Sequence, residues 1–210
     1  MSALEGCIYA ICASPRADMV PEELVRFCDA VYWKGLSGYD FSAYSLGLHS
    51  VAADSPGSDV LVINDSVLGP FNDIDAMLRS SRWRLTGFTA SSAFENHVQS
   101  YAWFLRDVNP ELVAGLSPVI TRSFAYDHFQ HVVNCQETQF ARVASGLGTV
   151  GAFWFGSWEL VGDPLLRCAL PLLDSGFPFM KKSLLGGKLG HLYDQDSLRQ
   201  RLLSLGHPLL

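Results

Sequence analysis

The 210-residue chain carries 21 acidic and 15 basic side chains, a net charge of −6, with 49% apolar and 17% charged residues. That balance suits one globular domain over residues 1–210 with a full core, and it excludes a disordered chain. It also argues against nucleic acid as a partner, because phosphate neutralisation needs clustered Lys and Arg.

The opening stretch "MSALEGCIYAICASPRAD" has Glu5 before its short apolar run and no basic segment, so it reads as a core strand and not a signal peptide. "PEELVRFCDAVYW" sets Leu24, Phe27, Cys28 and Val31 at i, i+3, i+4 and i+7, one face of a helix with Pro21 in its first turn; its tail "AVYW" can also begin a short strand. After the turn-rich "KGLSGYD", "FSAYSLGLHSVA" fits a helix burying Phe41, Tyr44 and Leu48. "VLVIN" reads as a fully buried strand, and Asn72 is placed to cap a helix that turns Ile74, Met77 and Leu78 inward. "WRLTGFTA" and "HVQSYAWFL" are two further strands, although Val98, Tyr101, Ala102 and Leu105 in the second also fit helical spacing. Residues 109–146 read as mainly helical, "TVGAFWF" as a strand, and Asp163 as the start of a helix ending near Gly176.

Alternation of strands and helices predicts an α/β fold: a single three-layer, Rossmann-like domain with a mostly parallel central sheet flanked by helices. No run approaches the about 20 apolar residues of a membrane-spanning helix. Cys7, Cys12, Cys28, Cys135 and Cys168 are odd in number and lack CxxC spacing, which suits reduced thiols and a cytoplasmic location.

Four stretches, "SGYDFSAYSLGL", "VLVINDSVLGPF", "HVQSY" and "GFPFMKKSLL", occur in the order found in the rhamnan-synthesis F family of bacterial polysaccharide glycosyltransferases, which the chain resembles from about residue 8 to about residue 190. The resemblance implies a GT-A-like fold and transfer of a sugar, rhamnose by the family's name, from a nucleotide diphosphate to a saccharide. It implies a donor site made of Gly38, Tyr39, Asp40, Asn64, Asp65, Ser66 and Lys181, and an acceptor or sugar site made of His97, Gln99, Ser100 and Tyr101. Leu36 stands where the family commonly has asparagine.

Each of these residues also fits a chemical role. The resemblance to GT-A enzymes makes Asp65 the carboxylate for Mg²⁺ or Mn²⁺, with Asn64 or Ser66 orienting it, although the Asn-Asp-Ser triplet has one carboxylate where the usual motif has two. The plainer reading is that Asp65 bonds the backbone of a Gly69-Pro70 turn. Gly38 permits close backbone approach and Asp40 accepts from base or ribose, or else only caps the helix at Phe41. On a regular strand His97, Gln99 and Tyr101 share one face, polar groups beside an aromatic wall that suits a sugar. Lys181, held by a Phe177-Pro178-Phe179 turn, would meet a phosphate or the sugar. Lys182 points elsewhere.

The resemblance to inverting GT-A enzymes implies that Glu137, at the start of a helical stretch, is the catalytic base, with Asp65 the other catalytic residue and Asp127 and His128 in reserve; the plainer reading is a glutamate that the helix dipole favours at a helix start. "HFQH" lacks a third metal ligand, and "GGKLGH" lacks the context of a phosphate-binding loop. The expected activity is an inverting glycosyltransferase of cell-surface polysaccharide synthesis. Its partners would be a nucleotide-sugar donor and a saccharide or lipid-linked glycan acceptor, met in the cytoplasm at the inner face of the membrane by peripheral association. A catalytically silent module of the same fold, binding glycan or a partner transferase, is the competing expectation.

Overall fold

A computed structural model describes residues 6–35, 37–186 and 189–208; Leu36 and two residues of the glycine-rich 186–191 stretch lie outside them. The chain enters through β1 (Tyr9–Cys12), α1 (Glu22–Phe27) and β2 (Ala30–Trp33), and β1 and β2 pair in parallel as a two-stranded sheet. The helix stops earlier than its apolar spacing predicts: Cys28 N–H bonds Leu24 O, Asp29 accepts from Ile8 N–H at 2.7 Å, and Val31 already belongs to β2. Phe27 is therefore left 77% exposed instead of facing inward.

Next come α2 (Asp40–Asp54), β3 (Ser58–Ile63), β4 (Val67–Leu68), α3 (Asp75–Ser80), β5 (Leu85–Ser91), β6 (His97–Val98) and β7 (Ala102–Val108). On α2 the predicted face is buried through Phe41, Tyr44 and Leu48. Asn72 does not cap α3; it donates to Gly176 O at 2.9 Å, while the Asp73 carboxylate accepts from Asp75 N–H.

Helical segments α4 (Pro110–Gly115), α5 (Phe129–Val132), a π-helical turn (Val133–Glu137) and α6 (Thr138–Ser145) lead to β8 (Val150–Gly156). Short helices α7 (Trp158–Val161), α8 (Pro164–Arg167) and α9 (Ala169–Asp174) follow, then β9 (Met180–Lys181) and α10 (Gln195–Ser204). The single helix expected from Asp163 to Gly176 is thus α8 and α9, with Asp163 capping Leu165 N–H at 2.9 Å.

The five-stranded central sheet corrects the predicted architecture. It is mostly antiparallel, not mostly parallel: β3 pairs with β7, β7 with β5 and β5 with β6 all antiparallel, and β8 alone joins β5 in parallel. Residues 92–96 between β5 and β6 are too short for a crossover, so the chain must reverse, whereas a parallel return needs a long connection such as the helical 109–149 stretch. Strand–helix alternation in the sequence does not report which strands are neighbours. The fold is mixed α/β.

Two corrections follow from that topology. The "VLVIN" strand is an edge strand paired only with β7, leaving Ile63 40% exposed, so its apolar run is not fully buried. The "HVQSYAWFL" strand is interrupted. Between the pairs Gly87↔Trp103 and Ala90↔Val98, β5 has two residues, 88 and 89, and its partner has four, 99–102. The extra residues interrupt the ladder between β6 and β7, so 97–105 is not one regular strand.

One core cluster joins Trp103 and Leu105 of the sheet to α2, α4 and α6 through Phe41, Leu112 and Phe140. A second joins Phe88 and Phe104 to Ile74, Leu78, Phe177 and Phe179. A third seats α10 on Met180, Leu184 and Leu173.

Candidate functional site

Asn64 is the hub where β3 ends. Its Oδ1 accepts from Ser66 N–H at 3.0 Å and from Ser66 Oγ at 2.6 Å, folding the chain sharply after the strand. Its Nδ2 donates to Asp40 Oδ2 at 2.7 Å and to the Tyr44 hydroxyl at 3.3 Å. The first turn of α2 is thereby fastened to the end of β3, and Asp40 and Asp65 stand on the same edge of the sheet.

The chain then runs into β4, which pairs with β9 and presents Lys181; Lys182 N–H bonds Ser66 O at 2.9 Å. Gly69 makes this possible, with φ +123° and Pro178 O only 2.3 Å from where a Cβ would sit. Lys181 Nζ donates to Ser66 Oγ at 3.1 Å and lies 5.0 Å from the Tyr101 ring centroid, a cation–π contact. Lys182 is exposed.

The interrupted strand supplies the next wall. Tyr44 OH donates to Ser100 O at 2.7 Å, and Ser100 N–H donates to Glu137 Oε1 at 3.2 Å. Hydrogen bonds thus link Asp40, Asn64, Tyr44 and the Ser100 carbonyl, and the Ser100 backbone joins them to Glu137. Glu137 does not begin a helix, as its sequence context predicts; it closes the π-helical turn inside the helical run and is partly buried. The π turn, and not a helix N-terminus, aims it at Ser100.

The electrostatics follow from this packing. Burial raises the Glu137 carboxyl above its ordinary range, against the Ser100 N–H, His97 and Lys181, which pull it down. Asp40 is raised by burial first; the Asn64 bond opposes that, the Asp65 charge adds to it, and Lys181 and Lys34 also oppose it. Burial holds Tyr44 well above 10, so it stays a neutral hydroxyl. The Lys181 charge draws both carboxyls down, against the burial that raises them.

Other predicted residues turn away. Gln99 and Tyr101 both bond Thr89, at 2.6 and 2.9 Å, so the Tyr101 hydroxyl is buried and only its ring meets Lys181. His97 is buried, its Nδ1 donating to Glu95 O at 2.9 Å. Gly38 (φ +91°) is approached by this chain itself, since a Cβ there would lie 2.6 Å from Ala125 Cβ. Asp65 is exposed and bonds no turn backbone. Asp127 is exposed and accepts from Ser37 Oγ at 3.1 Å, away from Glu137's hydrogen bonds.

Among the described residues no three His, Cys, Asp or Glu side chains converge; Asp40 is committed to Asn64, and Asp65 is the one exposed carboxylate beside it. His128 and His131 lie with ring centroids 5.0 Å apart and likewise lack a third ligand among the described residues. The five cysteines are free thiols. No described helix is long and apolar enough to cross a membrane.

No model of a known protein family matches the sequence, and no solved structure matches it. Two curated relatives do: "Virulence protein VirA" of Vibrio anguillarum (strain ATCC 68554 / 775), and the protein of the same name from Vibrio anguillarum, each 32% identical over 213 residues, across 84% of this chain and 69% of the relative. This chain belongs to the VirA family. Within this VirA-family chain, sequence reasoning missed Lys34 and Tyr44. Lys34 is buried and donates to Gly38 O (2.5 Å), Tyr39 O (3.3 Å) and Ser42 Oγ (3.0 Å); burial lowers its pKa, opposed by Asp40 and Asp127. A lysine in a turn-rich stretch looks solvated, and Tyr44 sits among core positions of α2, so neither carries a signal that sequence periodicity could reveal.

Proposed function

We propose that this VirA-family chain is an inverting glycosyltransferase that moves a sugar, with rhamnose the first candidate, from a nucleotide diphosphate to a saccharide or lipid-linked glycan in cell-surface polysaccharide synthesis. One observation carries the reading: Asp40, Asn64, Ser66, Ser100, Glu137 and Lys181, drawn from five separated stretches, are joined in one cluster through Tyr44. A partly buried carboxyl raised by its burial, within the field of a lysine, is what the chemistry needs. The bond from the acceptor oxygen to the anomeric carbon forms as the carbon–oxygen bond to the diphosphate breaks. Glu137 takes the acceptor's hydroxyl proton, and Lys181 faces the negative charge that builds on the leaving diphosphate. Asp65, exposed at the same edge, orders water or the donor's hydroxyls. The resemblance to rhamnan-synthesis F proteins supports the same reading, and it implies work in the cytoplasm at the membrane's inner face.

The test is donor turnover across a panel of nucleotide sugars, with and without Mn²⁺ and Mg²⁺. Asp65→Asn should slow turnover greatly, whereas Asp75→Asn on α3 should not. Equal wild-type-like rates for both would remove Asp65 from the mechanism. A wild-type chain that binds glycan or a transferase and turns over no donor would be the silent module instead.

A further inference from the structure

The central sheet has two long outer strands, β3 and β8, and they finish it differently. β3 is guarded in the ways that keep an edge from pairing: a bulge between Ser58 and Val60, and an Asp59 carboxylate held by Arg106 at 3.2 Å. β8 pairs with β5 and with no other described strand, and the chain carries no charged residue and no proline between Arg142 and Glu159. Leu85 N–H bonds Thr149 O, so residues 149 and 151 face β5 while Val150 and Ala152 turn their N–H and C=O groups outward. No backbone group of another described residue bonds them outside the β5 ladder. Past the end of the strand the apolar strip continues into solvent: Phe155 is 60%, Trp158 52% and Leu160 85% exposed.

We infer that β8 is a dimerisation edge, on which a second copy of this chain pairs antiparallel about a two-fold axis and continues the sheet from one molecule into the other. The inference is independent of the glycosyltransferase reading. A two-fold axis sets a strand against itself, so the strand must tolerate its own side chains as neighbours. β8 does: in a chain of net charge −6 it is a surface on which two copies meet with no like charges opposed. Pairing centred on Ala152 sets that small side chain against itself and Val150 against Trp154, and it brings Trp158 toward the exposed Gly146 and Gly148 of the second copy. At about 150–250 Å² for each large side chain, the exposed parts of Phe155, Trp158 and Leu160 supply about 400 Å², half of the about 800 Å² per partner that a standard interface buries. The strand edge adds to that area. A lipid surface would suit the aromatics but not the edge, because hydrocarbon offers no hydrogen bonds to the outward N–H and C=O groups. A second β8 supplies both.

Sedimentation velocity of the full chain across a range of concentrations tests this. Wild type should reach twice the chain mass and stop there, since two-fold pairing is closed. Ala152→Pro removes an outward N–H, leaves the bonds to β5 in place and should dissociate the dimer; proline is accepted on an edge strand in that orientation. Phe155→Lys, at a side chain already 60% exposed, brings two ammonium groups to the interface and should weaken dimerisation about tenfold or more. It leaves the core untouched, so it reads the surface even if Ala152→Pro does not fold. Ile63→Lys on the β3 edge should leave dimerisation unchanged. Amide exchange at Val150 and Ala152 should be slower in the wild-type dimer than in Phe155→Lys. A wild type that stays monomeric to its solubility limit, or one that grows past the dimer, would overturn the inference. So would a dimer that Phe155→Lys does not weaken, or that Ile63→Lys weakens equally.

Discussion

Glu137 shows how one residue's surroundings set its chemistry. Burial raises its folded-state pKa despite the Ser100 N–H, His97 and Lys181, so the folded chain keeps this proton to higher pH than the unfolded chain does. Its contribution to stability is therefore fully present below the ordinary glutamate pKa and is lost as pH rises through the raised one. Glu137→Gln, which still accepts from Ser100 N–H, should match wild type in melting temperature at low pH and exceed it above that window. Parallel melting curves across pH would show that the carboxyl is not perturbed. The same variant should bind donor yet turn over about 10²–10⁴-fold more slowly. Part of this was readable from the residues alone: the type and order of Asp40, Asn64, Asp65, Glu137 and Lys181 suggest the chemistry. Gln99 and Tyr101 both reach the Thr89 hydroxyl, a contact across the sheet that residue spacing alone does not reveal.

At the scale of elements, the small β4–β9 pair matters more than its two-residue strands suggest. It holds Lys181 over Tyr101, and its geometry depends on Gly69 passing Pro178 O with no side chain in the way. Gly69→Ala meets both a positive φ and a backbone oxygen that cannot rotate aside. A loss of at least about 1–3 kcal/mol is expected in urea denaturation. Nucleoside diphosphate affinity should fall with it, because the segment that must move carries Lys181 three residues after Pro178. Wild-type stability in that variant would mean the 69–71 turn relaxes without disturbing β9. The sequence marks Gly69-Pro70 as a turn, but nothing local in it shows that the turn's partner is the Phe177–Phe179 stretch more than a hundred residues away.

Across the whole molecule, α10 seals the third core cluster beneath that strand: Leu198 and Leu202 are fully buried with Met180 and Leu184. Leu198→Ala should cost about 2–5 kcal/mol by chemical denaturation, while Leu203→Ala, 55% exposed on the same helix, should stay within about 0.5 kcal/mol of wild type. Similar losses for both would mean that α10 packs in another register. By itself the sequence determined the local things. They are the helix face of Phe41, Tyr44 and Leu48, the strand segments, and the polar residue types carried at the candidate site, because periodicity, turn chemistry and side-chain type act over a few residues. Only the tertiary structure decided strand direction, the edge position of β3, the burial of Lys34, the bridging hydroxyl of Tyr44 and the π turn that aims Glu137. Those depend on which distant segments become neighbours, and that is settled by loop length, sheet register and core packing acting together, none of which is written at any one position.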